Sequence, residues 1–295
     1  MTNTLKFFGL VFLCLAWGIN WVAIKISLEG LPPMFSASFR FFLAIIILFF
    51  YIKGKRISLK LTGRELRLIL VTGVFMYLLD YGLIYWGEQY LSAGVTSIFF
   101  STFALFTALF SNFVFRNEAF RWDKFAGLLV GFAGILVVFY DQLEITRFDL
   151  MVTLASGAII LSAVFAALAT VIVKKYLSHM NPVPLSFYQT IMGTFFLALL
   201  SVMTENVQQI HLSMNVFLAV IYMGAVSSAI AFVVYYKLLK QMSAVSLSFI
   251  IYIIPIVALV ADFVFYKQVL PIRSFVGMVI IFSGIWLSRQ KRPAT

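Results

Sequence analysis

The chain has 295 residues, of which 63% are hydrophobic and only 11% charged, with a formal net charge of +11 and a mean hydropathy of +1.03. A soluble domain of this size carries roughly a quarter charged residues, so the composition excludes a soluble globular protein and points to the membrane. The single cysteine, Cys14, excludes an internal disulfide framework.

Apolar runs follow one another almost end to end, near 7–27, 34–52, 68–89, 95–115, 123–140, 151–173, 183–203, 215–237, 244–266 and 272–288. Each is close to the ~20 residues that carry a helix across the hydrocarbon core. The runs are continuously apolar, whereas barrel strands alternate faces over about ten residues, so the expected fold is an all-α membrane protein of ten transmembrane helices. The first run follows Lys6 without a small-residue cleavage site and is read as a retained helix. Short polar connections leave no room for a soluble domain.

The positive charge sorts by loop. With the N-terminus inside, most of the 22 basic residues fall in cytoplasmic segments: Lys6, the Lys53 to Arg67 cluster, Arg116 to Lys124, Lys174 and Lys175, Lys237 and Lys240, and Arg289 to Arg292. Lys25, Arg147, Lys267 and Arg273 lie opposite, and Arg40 lies within a span. This is the positive-inside asymmetry, and it accounts for the basic charge without a nucleic-acid partner. Both termini are expected in the cytoplasm of a cell with the protein in its plasma or inner membrane. The Lys53 to Arg67 cluster also suits anionic lipid heads.

The sequence is written twice. VAIK ending at Lys25 recurs as VIVK ending at Lys174, and Pro33 recurs as Pro182; Ser92-Ala93 recurs as Ser243-Ala244, FVF at 113–115 recurs at 263–265, and Gly127 and Gly134 recur as Gly277 and Gly284. The offset stays at about 150 residues, which sets two expected domains, 1–145 and 146–295. Five spans per half is odd, so the second copy enters the membrane inverted. Inverted repeats are a recurring construction of secondary transporters, with the solute site between the halves.

Trp17-Gly18 with Asn20 and Lys25, Pro33, Arg40-Phe41, Ser92-Ala93-Gly94, Glu118, and Tyr252 with Pro255 together resemble the EamA-like exporters of the drug/metabolite transporter superfamily. The resemblance covers nearly the whole chain. It implies ten helices around a central cavity lined mainly by the first, third, fourth, sixth, eighth and ninth, and export of amino acids or other small metabolites. Gln268 stands where the family often repeats the acidic residue of Glu118, so the two halves are not identical at that point.

The stretch YLLDYGLIYWGE from Tyr77 to Glu88 places two carboxylates in an apolar run. Intramembrane carboxylates face a cavity or a partner, and helical spacing puts Tyr77, Asp80 or Tyr81, and Glu88 along one stripe. The stripe is expected to face the water-accessible centre, with Asp80 deep and Glu88 solvated nearer the outer mouth. An acid among tyrosines suits a cationic or amino group; the alternative is a structural Asp80, protonated or paired with Arg40. Trp17 and Asn20, on a helix that the resemblance makes cavity-lining, Ser101 and Thr102 on the fourth span, and Tyr252 on the ninth complete the candidate binding residues. Pro255 removes a backbone hydrogen bond beside Tyr252 and is the candidate hinge.

His179 and His211 lack neighbours at metal-ligand spacing, and no Gly-rich phosphate loop is present, so no metal, cofactor or direct ATP use is expected. The spans hold no histidine to serve as a nucleophile's base. The expected function is a secondary-active exporter working by alternating access on a small-molecule substrate, with proton coupling, as a monomer or weak dimer. An uncoupled facilitator and an intramembrane lipid-handling enzyme are the alternatives.

Overall fold

The computed structural model describes residues 2–115, 122–145, 149–206, 208, 210–257 and 272–288. Among the described residues the regular structure is helical throughout. The helices are α1 (Asn3–Leu28), α2 (Pro33–Lys55), α3 (Gly63–Gly87) and α4 (Ala93–Val114), α5 (Trp122–Val138), then α6 (Leu150–Leu177), α7 (Pro182–Thr204), α8 (Met214–Gln241), α9 (Ala244–Val257) and α10 (Ile272–Leu287). Among the described residues, seven of these are long and apolar enough to cross a membrane, while α9 and α10 are shorter apolar helices. Arg116, Glu118, Arg121, Arg147, Asp262, Lys267, Gln268, Arg289, Lys291, Arg292 and the second FVF triplet lie outside the described residues.

The helix starts are set by local chemistry. Thr2, Thr62, Ser92, Asp149, Asn181, Ser213 and Ser243 each accept a first-turn backbone N–H with their side chains, which satisfies donors that a helix leaves open. The recurring Ser-Ala pairs are therefore caps, Ser92 for α4 and Ser243 for α9. Helix α2 begins at Pro32-Pro33 and has no side-chain cap of its own. Glu205, just beyond α7, caps it from a distance: its carboxylate accepts the N–H groups of Met34 at 2.6 Å and Phe35 at 2.8 Å. A carboxylate at a helix N-terminus is worth about 1–2 kcal/mol when partly buried.

Contacts between helix ends sort the loops into two faces. On one, the His211 N–H bonds to the Gly30 carbonyl at 2.7 Å, Glu205 holds the start of α2, and Lys25 reaches the end of α3. On the other, His179 meets Glu65 at 2.8 Å, the Tyr188 hydroxyl donates to the Leu59 carbonyl, and Lys175 donates to the Val114 carbonyl. Successive helices from α1 to α4 and from α6 to α8 thus run in alternating directions.

The halves of the chain interleave. Helix α1 packs along α8, and α3 packs along α6 and α7. Hydrogen bonds join α1 to α8: the Trp17 indole N–H donates to the Ser227 carbonyl at 3.2 Å, and the hydroxyls of Tyr222 and Ser227 both donate to the Ala16 carbonyl. Helices α2 and α7 pack on each other and buttress α8 and α3.

The glycine faces bring α5 and α10 into near-contact. A Cβ on Gly284 would lie 2.5 Å from the Gly127 carbonyl oxygen, and one on Gly134 would lie 2.8 Å from the Gly277 oxygen. Small residues permit this approach where hydrocarbon supplies no driving force between helices. Gly284→Val should therefore lower stability in detergent by about 1–3 kcal/mol, read as a lower melting temperature. Gly157→Ala, whose added Cβ meets nothing within 4 Å, should leave it unchanged or raised by up to about 1 kcal/mol.

Candidate functional site

Between the α1/α8 pair and the α3/α6 pair lies a cavity of about 60 Å³. Trp17, Asn20, Trp21 and Ile24 line it from α1; Met76, Asp80, Tyr81 and Ile84 from α3; and Phe100 and Phe103 from α4. Ala166 and Thr170 of α6, Phe232 and Tyr235 of α8, and Ile250, Ile251 and Ile254 of α9 complete the wall. These are the six helices that the family resemblance implied. One water needs about 10–15 Å³ of such space, so the cavity holds a few waters, and a metabolite enters only if the walls separate.

Helix α3 presents Asp80 through a local change of winding. Val74–Asp80 forms a π-helical turn, which widens the helix by one residue per turn and recurs at functional sites. Helix α8 carries the matching turn at Met223–Ile230. Asp80 is 2% exposed, and its Oδ1 has no hydrogen-bond partner; the Asn20 Oδ1 is likewise without one. An ionised carboxylate at mid-bilayer costs about 2.5–3.5 kcal/mol. Among the described residues no cation is paired with it, and the expected alternative of an Asp80–Arg40 pair is not formed.

Arg40 is fully buried and committed elsewhere. Its Nε and Nη2 donate to the Ser228 hydroxyl at 3.1 and 2.9 Å, and Nη1 donates to the Tyr85 hydroxyl at 3.3 Å. The guanidinium carbon stands 4.9 Å from the Phe41 ring centroid and 5.0 Å from that of Tyr81. The far end of α3 is held by Lys25, whose Nζ donates to the carbonyls of Glu88 at 2.7 Å and Leu91 at 3.0 Å. On the opposite face Lys174 of α6 donates to the Leu239 carbonyl at 2.8 Å and the Lys240 carbonyl at 3.4 Å, at the end of α8. A lysine on each side of the cavity thus grips the C-terminal, electronegative end of a helix on the other side.

The sequence stripe divides in the structure. Asp80, Tyr81, Trp17 and Asn20 meet at the cavity, whereas Tyr77 and Glu88 do not line it. Tyr77 is driven between helices, packed against Gly193 with its ring 4.9 Å from Phe41; the π turn breaks the 3.6-residue spacing on which the stripe was drawn. Glu88, expected to be solvated, is fully buried, with neither carboxylate oxygen hydrogen-bonded. Lys25 bonds its main-chain carbonyl instead.

Three further expectations shift. The Thr102 hydroxyl donates to the Phe99 carbonyl of its own helix at 2.7 Å, and Ser101 does the same to Ile98, as short hydroxyl side chains in helices commonly do. Tyr252 faces α5: its hydroxyl donates to the Leu128 carbonyl at 3.0 Å and its ring lies over Gly131. Pro255 is buried and supplies no N–H to the carbonyl of Ile251, which does line the cavity. Trp21, Phe100, Phe103, Phe232 and Tyr235 are cavity residues that sequence reasoning missed, because aromatic residues in an apolar span carry no mark of which face they take.

A helical bundle with seven apolar spans around an internal cavity is a multi-pass membrane protein, and the match of a transporter family model to both halves of the chain makes it a membrane transporter. It belongs to the EamA-like transporter family, whose model matches residues 5–140 and again 153–290. It is 24% identical over 280 residues to "Uncharacterized transporter YoaV" of Bacillus subtilis, covering 95% of each chain. It is 24% identical over 286 residues to the "Probable amino-acid metabolite efflux pump" of Escherichia coli, covering 92% of this chain and 90% of the other. A solved crystal structure superimposes with a TM-score of 0.80 at 16% identity, over 97% of this chain and 96% of that one.

Since Tyr252 is a packing residue here, Tyr252→Phe should cost about 0.5–1.5 kcal/mol of stability through the lost hydrogen bond and leave solute affinity unchanged. Melting temperature and transport of the same variant check both halves of that statement.

Proposed function

We propose that the chain is a secondary-active exporter of small metabolites that works by alternating access and exchanges its solute against protons at Asp80. The observation that carries this reading is an unpaired, buried carboxylate facing a cavity between two helix pairs. Burial favours the protonated acid and a bound cation favours the ionised one, so proton and cationic solute compete for one group.

The architecture we assign is ten spans in two inverted repeats, 1–145 and 146–295, with both termini cytoplasmic in the cell's plasma or inner membrane. Support comes from the double match of the family model, from π turns at corresponding places in α3 and α8, and from the Lys25 and Lys174 grips at opposite faces. Each grip ties one cavity wall to the other at one face only, which is what alternate opening requires. The glycine faces are used between α5 and α10, which favours a monomer or weak dimer. Cysteines placed at Lys60 and at His211 should react with an impermeant reagent from opposite sides of the membrane; labelling from one side would break the assigned topology.

Proteoliposomes loaded with a mixed extract of small metabolites, with released compounds read by mass spectrometry, test the site without a known substrate. Asp80→Asn keeps volume and hydrogen bonding but removes the charge, and should cut release at least about tenfold, equivalent to ~1.4 kcal/mol. Unchanged release by the folded variant would return Asp80 to a structural role, and release by wild type that ignores an imposed pH gradient would remove the proton exchange. Lys25→Met and Lys174→Met should shift the balance of states in opposite directions. A cysteine at Ile24, with Cys14 replaced, should gain several-fold in labelling from the Lys25 side in the first and lose it in the second; equal labelling in both would sink the gate assignment.

A further inference from the structure

The charge of the cavity wall is one-sided. Among the described lining residues Asp80 is the single ionisable acid, and there is no lysine, arginine or histidine. Arg40 stands behind the Tyr81 ring, outside the lining, with its donors taken by Ser228 and Tyr85. Lys25 and Lys174 are held by main-chain carbonyls at the two faces.

Among the uncharged polar groups the Asn20 amide and the Tyr81 hydroxyl can donate, and neither carries the positive charge that a buried carboxylate needs. The Trp17 N–H is used by the Ser227 carbonyl, and the Thr170 and Tyr235 hydroxyls bond each other at 3.0 Å. Acceptors are in better supply: the Asp80 Oδ1 and Asn20 Oδ1 are buried without partners, and Pro255 leaves the Ile251 carbonyl without its helical donor. Around them the surface is aromatic. Phe100 and Phe103 are stacked at 5.8 Å with Trp21 edge-on to Phe100 at 5.4 Å, and on the facing wall Phe232 lies 5.8 Å from Trp17.

We infer that the transported solute is a monocationic amine with an apolar, ring-bearing body and no free carboxylate, a conclusion that rests on Asp80 being the central charge proposed above. The ammonium group donates to Asp80 and Asn20, and the body packs between the aromatic walls, where a cation is also attracted to ring faces. A free amino acid brings a second charge. Its carboxylate would enter a water-poor cavity beside Asp80 with no cation to meet it, and such a charge is disfavoured unless paired. Discrimination of this kind works by leaving the wrong solute's group unpaired.

Matched probes of one skeleton separate the possibilities: 2-phenylethylamine, phenylalanine methyl ester, phenylalanine and 3-phenylpropionate, each titrated into the purified full-length protein in detergent at pH 7. A compound that binds the folded state raises the melting temperature by an amount that grows with the logarithm of its concentration over its Kd. The amine and the ester should stabilise, phenylalanine should need at least about tenfold more for the same shift, and 3-phenylpropionate should give none. Asp80→Asn, whose own melting temperature reports its folding, should lose the response to both amines. Phenylalanine binding as well as its ester, or neither amine binding, overturns the proposed solute class. If phenylalanine binds and Asp80→Asn abolishes it, the site assignment stands and only the class falls. If the amines still stabilise Asp80→Asn, both fall.

Discussion

The cavity exists because the two halves of the chain pair crosswise, α1 against α8 and α3 against α6. Trp17, Tyr222 and Ser227 join the first pair through the Ala16 and Ser227 carbonyls, and Gly87 lets α3 settle onto Ile159 of α6. Had each half closed on itself, Asp80 would face its own repeat. Crosswise pairing leaves a seam, and the residues along it need not satisfy one another. In hydrocarbon an unsatisfied polar group is expensive, so a seam carrying unpartnered Asp80 and Asn20 oxygens holds together because the surrounding helices are fastened elsewhere.

That fastening lies in the outer frame. Helices α2 and α7 pack along each other, the Gln189 side chain bonds Thr72 of α3 at 2.6 Å, and Arg40 reaches from α2 to Ser228 of α8. A buried guanidinium without a carboxylate partner gains from the π faces of Phe41 and Tyr81, which suit a delocalised planar cation better than an ammonium. Lysine at that position would lose both the forked hydrogen bonds and the stacking.

Much of the frame was legible from the residues alone. Apolar length located the helices, and the Ser-Ala recurrences marked real caps. Asp80, Trp17, Asn20 and Tyr81 meet at the cavity: the cost of intramembrane charge marked Asp80, while the family resemblance placed Trp17 and Asn20. Tyr77 was misplaced by the π turn, which shifts its phase against Tyr81 and leaves no compositional trace, whereas Glu88 lies beyond that turn at the C-terminal end of α3 and is buried there rather than solvated. Tyr252 was misplaced by one step: it follows cavity-lining Ile251, and a single residue turns about 100° around a helix. The matching lysines Lys25 and Lys174 were visible as a repeat, but their acceptors are main-chain carbonyls, and every residue has one.

The cap that Glu205 places on α2 also orders events during synthesis. The chain emerges N-terminus first, and the open N–H groups of Met34 and Phe35 meet their acceptor only after α7 has been made. Arg40 waits longer still, until α8 delivers Ser228. The second helix of the first half is therefore provisional for more than half of translation, and the nascent protein carries a charge held only by Tyr85 and the Phe41 and Tyr81 rings until Ser228 is made. A half of this molecule, released alone into the bilayer, would be an unfinished helix bundle rather than a smaller transporter.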